Sequence, residues 1–264
     1  MSLVVSGIRV RYPNGVVALE DAGFTAATGQ LTALIGPNGS GKSTLLRVAA
    51  GLLAASAGVA QWHGQRIDRM ERSARARTLA FLPQSVQTVY RHTLREVVAL
   101  GRHPHRVGLL ARWSAQDERQ VELALAATET TDLADRGFDE LSGGERQRAL
   151  IASLLVQEAE LLLLDEPTTA LDLHHQVHLM RLLTELAAAG RTVVCATHDL
   201  NLAAHFADQV ILLCEGRVRA QGGVDRVMTA EYLREVYGDD IWVGEHPRGY
   251  GTAILPWVRE GRDG

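Results

Sequence analysis

A glycine-rich loop between an apolar run and a helix constrains this chain more than any other stretch of its sequence. The apolar run QLTALIG leads into GPNGSGKST, from Gly36 to Thr44, and the helical pattern KSTLLRVAAGLL follows. The spacing fits the pattern G-x-x-x-x-G-K-[ST], in which glycines let backbone N–H groups turn toward phosphate oxygens. The positive end of the following helix dipole adds to that attraction. The stretch therefore predicts a phosphate-binding loop.

The residue types in the loop suit particular parts of a nucleotide. Lys42 is predicted to reach the terminal phosphates, and the Ser43 hydroxyl is predicted to ligate Mg²⁺. A chance glycine-rich turn is the alternative, but the apolar strand before the loop and the helix after it are the context that phosphate binding requires. The residues predicted to bind nucleotide here are Gly36, Pro37, Asn38, Gly39, Ser40, Gly41, Lys42, Ser43 and Thr44.

A second apolar run ends in two acidic residues. LLLLDEP places Asp165 and Glu166 at the carboxyl end of a predicted strand, which is where open α/β sheets bind ligands. Asp165 suits the metal side of a nucleotide site, and Glu166 can polarise an attacking water as a general base. Alone, such a pair is as readily a solvated turn. Together with a phosphate loop, it predicts the hydrolytic half of the site.

The remaining pattern defines the fold class. LVVSGIRVRY and VVALEDAGFTA alternate as half-solvated antiparallel strands do, whereas LLLL, RTVVCAT and QVILLC are short buried runs. TLREVVALGR and SAQDERQVELALAAT are helical, and Ser114 with Asp117 forms a capping box for the second. We expect an α/β fold with a mainly parallel sheet core, an N-terminal antiparallel β subdomain and a helical insert. The stretch after about Asp239 is expected to be irregular.

Composition excludes some functions. The 264 residues are 46% hydrophobic and 22% charged, an ordinary balance for one large domain. The net charge of −4 does not favour a nucleic-acid partner. No apolar run approaches the roughly 18 residues that span a bilayer, and the amino terminus lacks the features of a signal peptide. Cys195 and Cys214 lie in apolar runs without CxxC spacing and are expected to be core residues.

The stretch LSGGE, from Leu141 to Glu145, with Gln147 completes a motif set by which the chain resembles the nucleotide-binding subunit of an ABC transporter. The motifs occur in that family's order between about Tyr12 and Gly222. The resemblance implies a P-loop NTPase fold in a single ABC ATPase domain, with ATP and Mg²⁺ as cofactors. It places the core in residues 1–84 and 159–264, and the helical subdomain with its signature sequence in residues 85–158.

The same resemblance assigns roles to further residues. Tyr12 resembles the aromatic that stacks on adenine, Gln84 the glutamine that senses metal and attacking water, and His198 the histidine that contacts the γ-phosphate. Taken alone, the three are also explained as an exposed aromatic, a turn residue and a helix cap. The implied catalytic residues are Glu166, His198, Gln84 and Lys42, and the implied metal ligands are Ser43, Gln84 and Asp165. The residues implied to contact nucleotide across a dimer are Ser142, Gly143, Gly144, Glu145 and Asp172.

The implied function is ATP hydrolysis coupled to membrane import. A head-to-tail homodimer, transmembrane permease subunits and a periplasmic or surface binding protein are the implied partners, on the cytoplasmic face of the inner membrane. VALGRHPH, HDLNLAAHFADQVILL and the late HP…G…ILP are similar to segments in importers of iron chelates, haem and cobalamin. An exporter ATPase is an alternative. A soluble ABC ATPase acting on ribosomes or DNA is another, although the single motif set and the lack of heptads disfavour it.

Two groups of histidines stand outside this motif set. His174 and His178 are four residues apart on a predicted helix, a spacing that can bind metal. No further ligand is evident, so polar positions on an exposed helix face are the favoured interpretation. His103 and His105 in GRHPHR are interpreted as loop residues.

Overall fold

The computed structural model describes residues 2–85, 92–106, 113–245 and 251–256. Its strands are β1 (Ser2–Arg11), β2 (Val17–Ala27), β3 (Leu31–Ile35), β4 (Ala57–Trp62), β5 (Gln65–Arg66), β6 (Leu79–Leu82), β7 (Leu161–Asp165), β8 (Thr192–Ala196), β9 (Gln209–Cys214), β10 (Arg217–Gly222), β11 (Ile241–Glu245) and β12 (Thr252–Pro256). Its α-helices are α1 (Lys42–Ala49), α2 (Arg72–Thr78), α3 (Leu94–Leu100), α4 (Ala115–Ala127), α5 (Gly143–Leu155), α6 (Leu173–Ala188), α7 (Leu200–Phe206), α8 (Val224–Val227) and α9 (Ala230–Tyr237).

A mainly parallel sheet forms the centre of the molecule. Its strand order within the described residues is β10-β9-β3-β8-β7-β6, and every neighbouring pair is parallel except β10 with β9. Strands β3, β7 and β8 are buried at every position, as expected of strands covered on both faces. The predicted fold class is confirmed by this sheet.

An antiparallel sheet at the amino-terminal end packs against one face of the parallel sheet. Its order is β2-β1-β4-β5, and its inward residues share a hydrophobic core with α1 and the parallel strands. Leu45 and Leu46 of α1 are fully buried in that core. Helix α1 is thereby held between the two sheets, which fixes the direction of its amino-terminal end.

The helices between β6 and β7 form a smaller core of their own. Leu94, Val98, Val121, Leu125 and Phe138 pack together there with residues of α5. Ser114 and Asp117 make the predicted capping box at the start of α4. Helices α5 and α6 also cover the second face of the parallel sheet, so α5 belongs to both cores. No helix in the described ranges combines the length and the apolar character needed to cross a membrane.

The segment after Asp239 was expected to be irregular, and that prediction is wrong. Strands β11 and β12 pair as an antiparallel hairpin. Ile241, Val243 and Ile254 pack against α7, α9 and the parallel sheet. The Asn201 side chain donates to the Ile254 carbonyl and accepts from the Ile254 N–H, at 3.0 and 2.9 Å. Tertiary contacts thus order two short strands that glycine and proline separate in the sequence.

Candidate active site

Four neighbouring strands deliver polar residues to one edge of the parallel sheet. The phosphate loop follows β3, Glu166 follows β7, His198 follows β8 and Gln84 follows β6. Because these strands are parallel neighbours, their carboxyl ends meet at that edge. A cleft of about 700 Å³ lies there and is called the phosphate-loop cleft below. It is lined by Tyr12, Val16, Val17, Ala18, Asn38, Gly39, Ser40, Gly41, Lys42, Ser43, Thr44, Gln84, Glu166, Thr169 and His198.

The shape of the loop depends on its glycines. Gly41 has φ 104°, a left-handed conformation that disfavours any side chain. A Cβ atom at Gly41 would lie 2.6 Å from the Ala18 carbonyl oxygen, and one at Gly36 would lie 2.1 Å from the Leu213 carbonyl oxygen. The loop therefore approaches the neighbouring backbone as closely as glycine permits. That approach leaves its outer side open to the cleft.

Lys42 carries a positive charge into the base of the loop. Its side chain is only 6% exposed. The Nζ atom donates to the carbonyls of Gly36 and Pro37, at 2.7 and 3.2 Å, and lies 3.9 Å from Glu166 Oε1. Burial lowers the pKa of Lys42, and the negative charges of Glu166 and Asp165 oppose that effect. A phosphate entering the loop would meet this partly desolvated ammonium group.

Ser43 and Asp165 form a pair suited to a cation. The Ser43 hydroxyl donates to Asp165 Oδ1 at 3.0 Å, and Asp165 is fully buried. Its second oxygen, Oδ2, has no hydrogen-bond partner among the residues that the structure describes. Burial raises the pKa of Asp165, while the Ser43 hydrogen bond acts against that rise. A hydroxyl and a carboxylate with a spare oxygen are hard ligands of the kind that Mg²⁺ prefers, so these residues fit that ion.

Glu166 is the carboxylate at the centre of the site. Its backbone has φ 51°, a left-handed conformation that costs a non-glycine residue roughly 1–3 kcal/mol and is concentrated at functional sites. Gln84 Nε2 donates to Glu166 Oε2 at 3.1 Å, and His198 Nδ1 lies 3.4 Å from the same oxygen. Gln84 and His198, which were predicted from the sequence for other contacts in the site, therefore converge on one oxygen of Glu166.

Tyr12 closes the other side of the cleft. Its hydroxyl lies 3.0 Å from the Thr44 hydroxyl, which holds the ring beside the phosphate loop. Val16 and Val17 line the cleft near it with 53% and 44% of their surface exposed. The two valines escape prediction as site residues because valines at the start of a strand have no distinctive sequence pattern.

The LSGGE segment lies elsewhere on the chain. Ser142, Gly144, Glu145 and Asp172 line a separate cleft of about 360 Å³, called the signature cleft, with Arg148, Ala170, Leu171 and His175. Gly143 is the first residue of α5. Among the described residues, none lines both this cleft and the phosphate-loop cleft. The structure therefore does not bring the two predicted phosphate-binding features of one chain together.

A capping box shapes the start of α5. The Ser142 hydroxyl accepts from the Glu145 N–H at 3.3 Å, and the Glu145 carboxylate accepts from the Ser142 N–H at 2.7 Å. Two residues further along, Gln147 Nε2 donates to the Pro167 carbonyl at 3.0 Å. This bond ties α5 to the turn that follows Glu166. The start of α5 is thus a preformed helix terminus, and a hydrogen bond joins this helix to the turn after β7.

Comparison with known proteins agrees with this geometry. The family model described as ABC transporter matches residues 19–169. The ferric enterobactin transport ATP-binding protein FepC of Escherichia coli (strain K12) is 45% identical over 232 residues, which cover 88% of this chain and 85% of that protein. The hemin import ATP-binding protein HmuV of Streptomyces coelicolor is 42% identical over 250 residues, which cover 95% of this chain and 88% of that protein.

A solved structure extends the comparison to the whole fold. A metal-chelate type ABC transporter in an inward-facing conformation aligns with a TM-score of 0.81 at 28% identity, over 98% of each chain. The family model covers more than half of the sequence, and each of the two relatives matches this chain over most of its own length. The chain belongs to the ABC transporter family and is one of its ATP-binding, ATP-hydrolysing subunits.

Proposed function

We propose that this subunit binds and hydrolyses ATP in the phosphate-loop cleft to drive import of a metal chelate. The observation that carries the site assignment is the convergence of Lys42, Gln84 and His198 on Glu166, beside the Ser43–Asp165 pair. A phosphate-binding loop, a hard-ligand pair and an oriented carboxylate are the parts that phosphoryl transfer to water requires.

In this proposal the loop holds the phosphates. Backbone N–H groups of the loop between Asn38 and Thr44 and the Lys42 ammonium contact the β- and γ-phosphate oxygens, while Tyr12 stacks on the adenine. Ser43, Asp165 and Gln84 would hold an Mg²⁺ ion. That ion supplies charge neutralisation at the phosphate oxygens. Lys42 exchanges its loop carbonyls for phosphate oxygens, which are stronger partners for an ammonium group.

Glu166 acts on the attacking water. The water oxygen attacks the γ-phosphorus, the bond from that phosphorus to the bridging oxygen of ADP breaks, and Glu166 accepts the proton from the water. Gln84 and His198 keep the carboxylate aimed at the water, and His198 also contacts the γ-phosphate. The products are ADP and inorganic phosphate. The left-handed backbone at Glu166 lies at the end of β7, and its side chain lines the cleft.

Two copies of the chain complete the site in this proposal. The signature cleft and the phosphate-loop cleft are separate within one chain, and a head-to-tail dimer places the first opposite the second in its partner. Ser142, Gly143, Gly144, Glu145 and Asp172 then face the other copy's nucleotide. Transmembrane permease subunits hold the dimer on the cytoplasmic face of the inner membrane, and a periplasmic or surface binding protein delivers the cargo.

The cargo class in this proposal is an iron chelate, haem or cobalamin. Of the two relatives, one is named for ferric enterobactin transport and the other for hemin import, and the similar structure is of a metal-chelate type transporter. Uptake of a radiolabelled ferric siderophore, haem and cobalamin is measured in a deletion strain that carries either the wild-type gene or Glu166→Gln. Loss of one of these uptakes, restored by the wild-type gene alone, is expected. Loss confined to sugars or amino acids would refute the cargo class.

A further inference from the structure

A cluster of two histidines and one carboxylate lies at the edge of the signature cleft, which His175 also lines, and it has no assigned part in the reaction above. Glu129, His174 and His175 each offer a ligand atom, and these atoms all lie within 4.8 Å of one another. Glu129 is in the turn after α4, whereas His174 and His175 are in the first turn of α6. The three side chains therefore reach across from the helical part of the molecule to the core.

We propose that Glu129, His174 and His175 form a binding site for a divalent transition-metal ion, which ties α6 to the turn after α4. Imidazole and carboxylate ligands suit Zn²⁺, Co²⁺ and Ni²⁺ better than Mg²⁺ or Ca²⁺. Tetrahedral zinc with ligands at 2.0–2.1 Å needs ligand atoms about 3.4 Å apart. His175 Nε2 and Glu129 Oε2 are already 3.7 Å apart, so side-chain rotations close the site.

A second observation supports the site independently. Asp172 Oδ1 lies 2.8 Å from His175 Nδ1, and it also accepts the His175 N–H as the cap of α6. A carboxylate on one ring nitrogen holds the proton there and leaves the other nitrogen as a lone-pair donor. Here that other nitrogen, Nε2, is the one that faces Glu129. This is the carboxylate–histidine arrangement that orients metal-binding imidazoles.

His178 lies next to this cluster but is not one of the three residues whose ligand atoms all lie within 4.8 Å of one another. Its Nε2 lies 2.9 Å from the Ala127 carbonyl, so Nε2 carries the proton and Nδ1 keeps a lone pair. Nδ1 lies 3.9 Å from Glu129 Oε1. The sequence spacing of His174 and His178 hints at metal binding, but the necessary carboxylate comes from a turn 45 residues earlier. The periodicity of α6 alone therefore does not reveal this site.

The turn that contains Glu129 is connected to α5. Arg148 of α5 donates from Nη1 to the Glu129 carbonyl at 2.7 Å. Glu129 itself has φ 53°, so its backbone is held in a sparsely populated conformation. An ion between Glu129 and α6 would therefore fix α5 relative to the core through Arg148. The metal site would restrict the movement of the surface that a second copy of the chain meets.

Metal binding to the untagged full chain tests the ligand set. Zn²⁺ is titrated against a chromophoric chelator, and Co²⁺ binding is followed by its visible absorption. One tightly held equivalent is expected, and His174→Ala and Glu129→Gln should each weaken binding at least about tenfold. His205→Ala, an exposed histidine on α7, is the matched control and should bind as the wild type does. Zinc held at Ser43 and Asp165 would survive both substitutions and would overturn the assignment, as would the absence of a stoichiometric site.

Hydrogen exchange tests the tie between the two elements. Zn²⁺ is expected to slow amide exchange in residues 128–131 of the wild type by at least about threefold, and to leave exchange unchanged in Glu129→Gln. Slowed exchange in the wild type alone supports a bridging ion. Bound zinc without any change in this turn would show that Glu129 is not a ligand, and the proposed bridge would be wrong.

Discussion

Lys42 is the single lysine of a chain in which lysine and arginine together number 27. Its ammonium sits between the Gly36 and Pro37 carbonyls, a position for a compact point charge rather than for a planar guanidinium. We predict that Lys42→Ala lowers the turnover number for ATP at least about 100-fold, because one preorganised charge on the transferred phosphoryl group is lost.

Steady-state phosphate release measures this loss. Lys42→Arg is the informative companion, because it keeps the charge and changes only the shape of the group. We expect it to restore little activity. Near-wild-type turnover in Lys42→Ala, with an unchanged circular dichroism spectrum, would contradict the assigned role.

Glycines in the left-handed region provide a second prediction at the scale of the residue. Gly41 and Gly190 have similar φ angles of 104° and 98°. A Cβ atom added at Gly41 would lie 2.6 Å from the Ala18 carbonyl oxygen, whereas one added at Gly190 would have no neighbour within 4 Å. Gly190→Ala should therefore lower the free energy of unfolding by about 1 kcal/mol through backbone strain. Gly41→Ala should lower it by roughly 2 kcal/mol more through the added clash. Urea unfolding measures both, and equal losses would show that the loop accommodates a side chain.

At the scale of elements, the sequence predicts the strands that bury both faces and the helices that carry caps. Strand β7 and the Ser114–Asp117 box follow from an apolar run and from a capping pattern, because both signals are local. The β11–β12 hairpin does not follow, because its stability comes from α7 and α9 rather than from its own residues. Glu129 and Val16 are missed for the same reason, since only the folded chain shows what lies beside them.

A buried ion pair links the turn after α3 to α4 and gives a prediction for pH. Arg102, 3% exposed, donates from Nε to Asp117 Oδ1 at 2.9 Å and also contacts Glu158. The Ser114 hydroxyl, together with Arg102, lowers the pKa of Asp117 to about 2 from its usual 3.8. Because the folded-state pKa is depressed, this carboxylate stabilises the fold fully above pH 3.8 and loses that effect as the pH falls toward 2.

Asp117→Asn should therefore lower the free energy of unfolding by about 2 kcal/mol at pH 7, the scale of a hydrogen bond to a charged group. The difference from the wild type should shrink as the pH is lowered below 4. Urea unfolding at a series of pH values measures it, and Asp132→Asn, at an exposed position, is the control expected to show little difference at any pH. A difference that stays constant with pH would show that the charge of Asp117 contributes nothing.

For the whole molecule, the central observation is the separation of the two phosphate-binding features. Gln147 ties the start of α5 to the turn after Glu166, yet among the described residues the signature cleft shares no lining residue with the phosphate-loop cleft. Motif order in the sequence identifies both features but not their distance, because the distance depends on how the helical part packs on the core. In the proposed dimer, a second copy of the chain would bring the two features together, with ATP held between them.

The dimer proposal predicts the behaviour of a hydrolysis-deficient variant. Glu166→Gln keeps the shape of the side chain but removes the group that accepts the proton, so ATP remains bound. We expect this variant to form a dimer in ATP and Mg²⁺, measured by size-exclusion chromatography with light scattering.

Adding Ser142→Arg places a bulky side chain at the start of α5, where the partner's γ-phosphate would lie, and should return the protein to monomer. Asn201→Ala in the same background, on α7 and away from the signature cleft, should leave the dimer intact. Two results would refute the shared nucleotide site. One is a Glu166→Gln variant that stays monomeric at saturating ATP, both alone and with its permease. The other is a Glu166→Gln/Ser142→Arg variant that still dimerises.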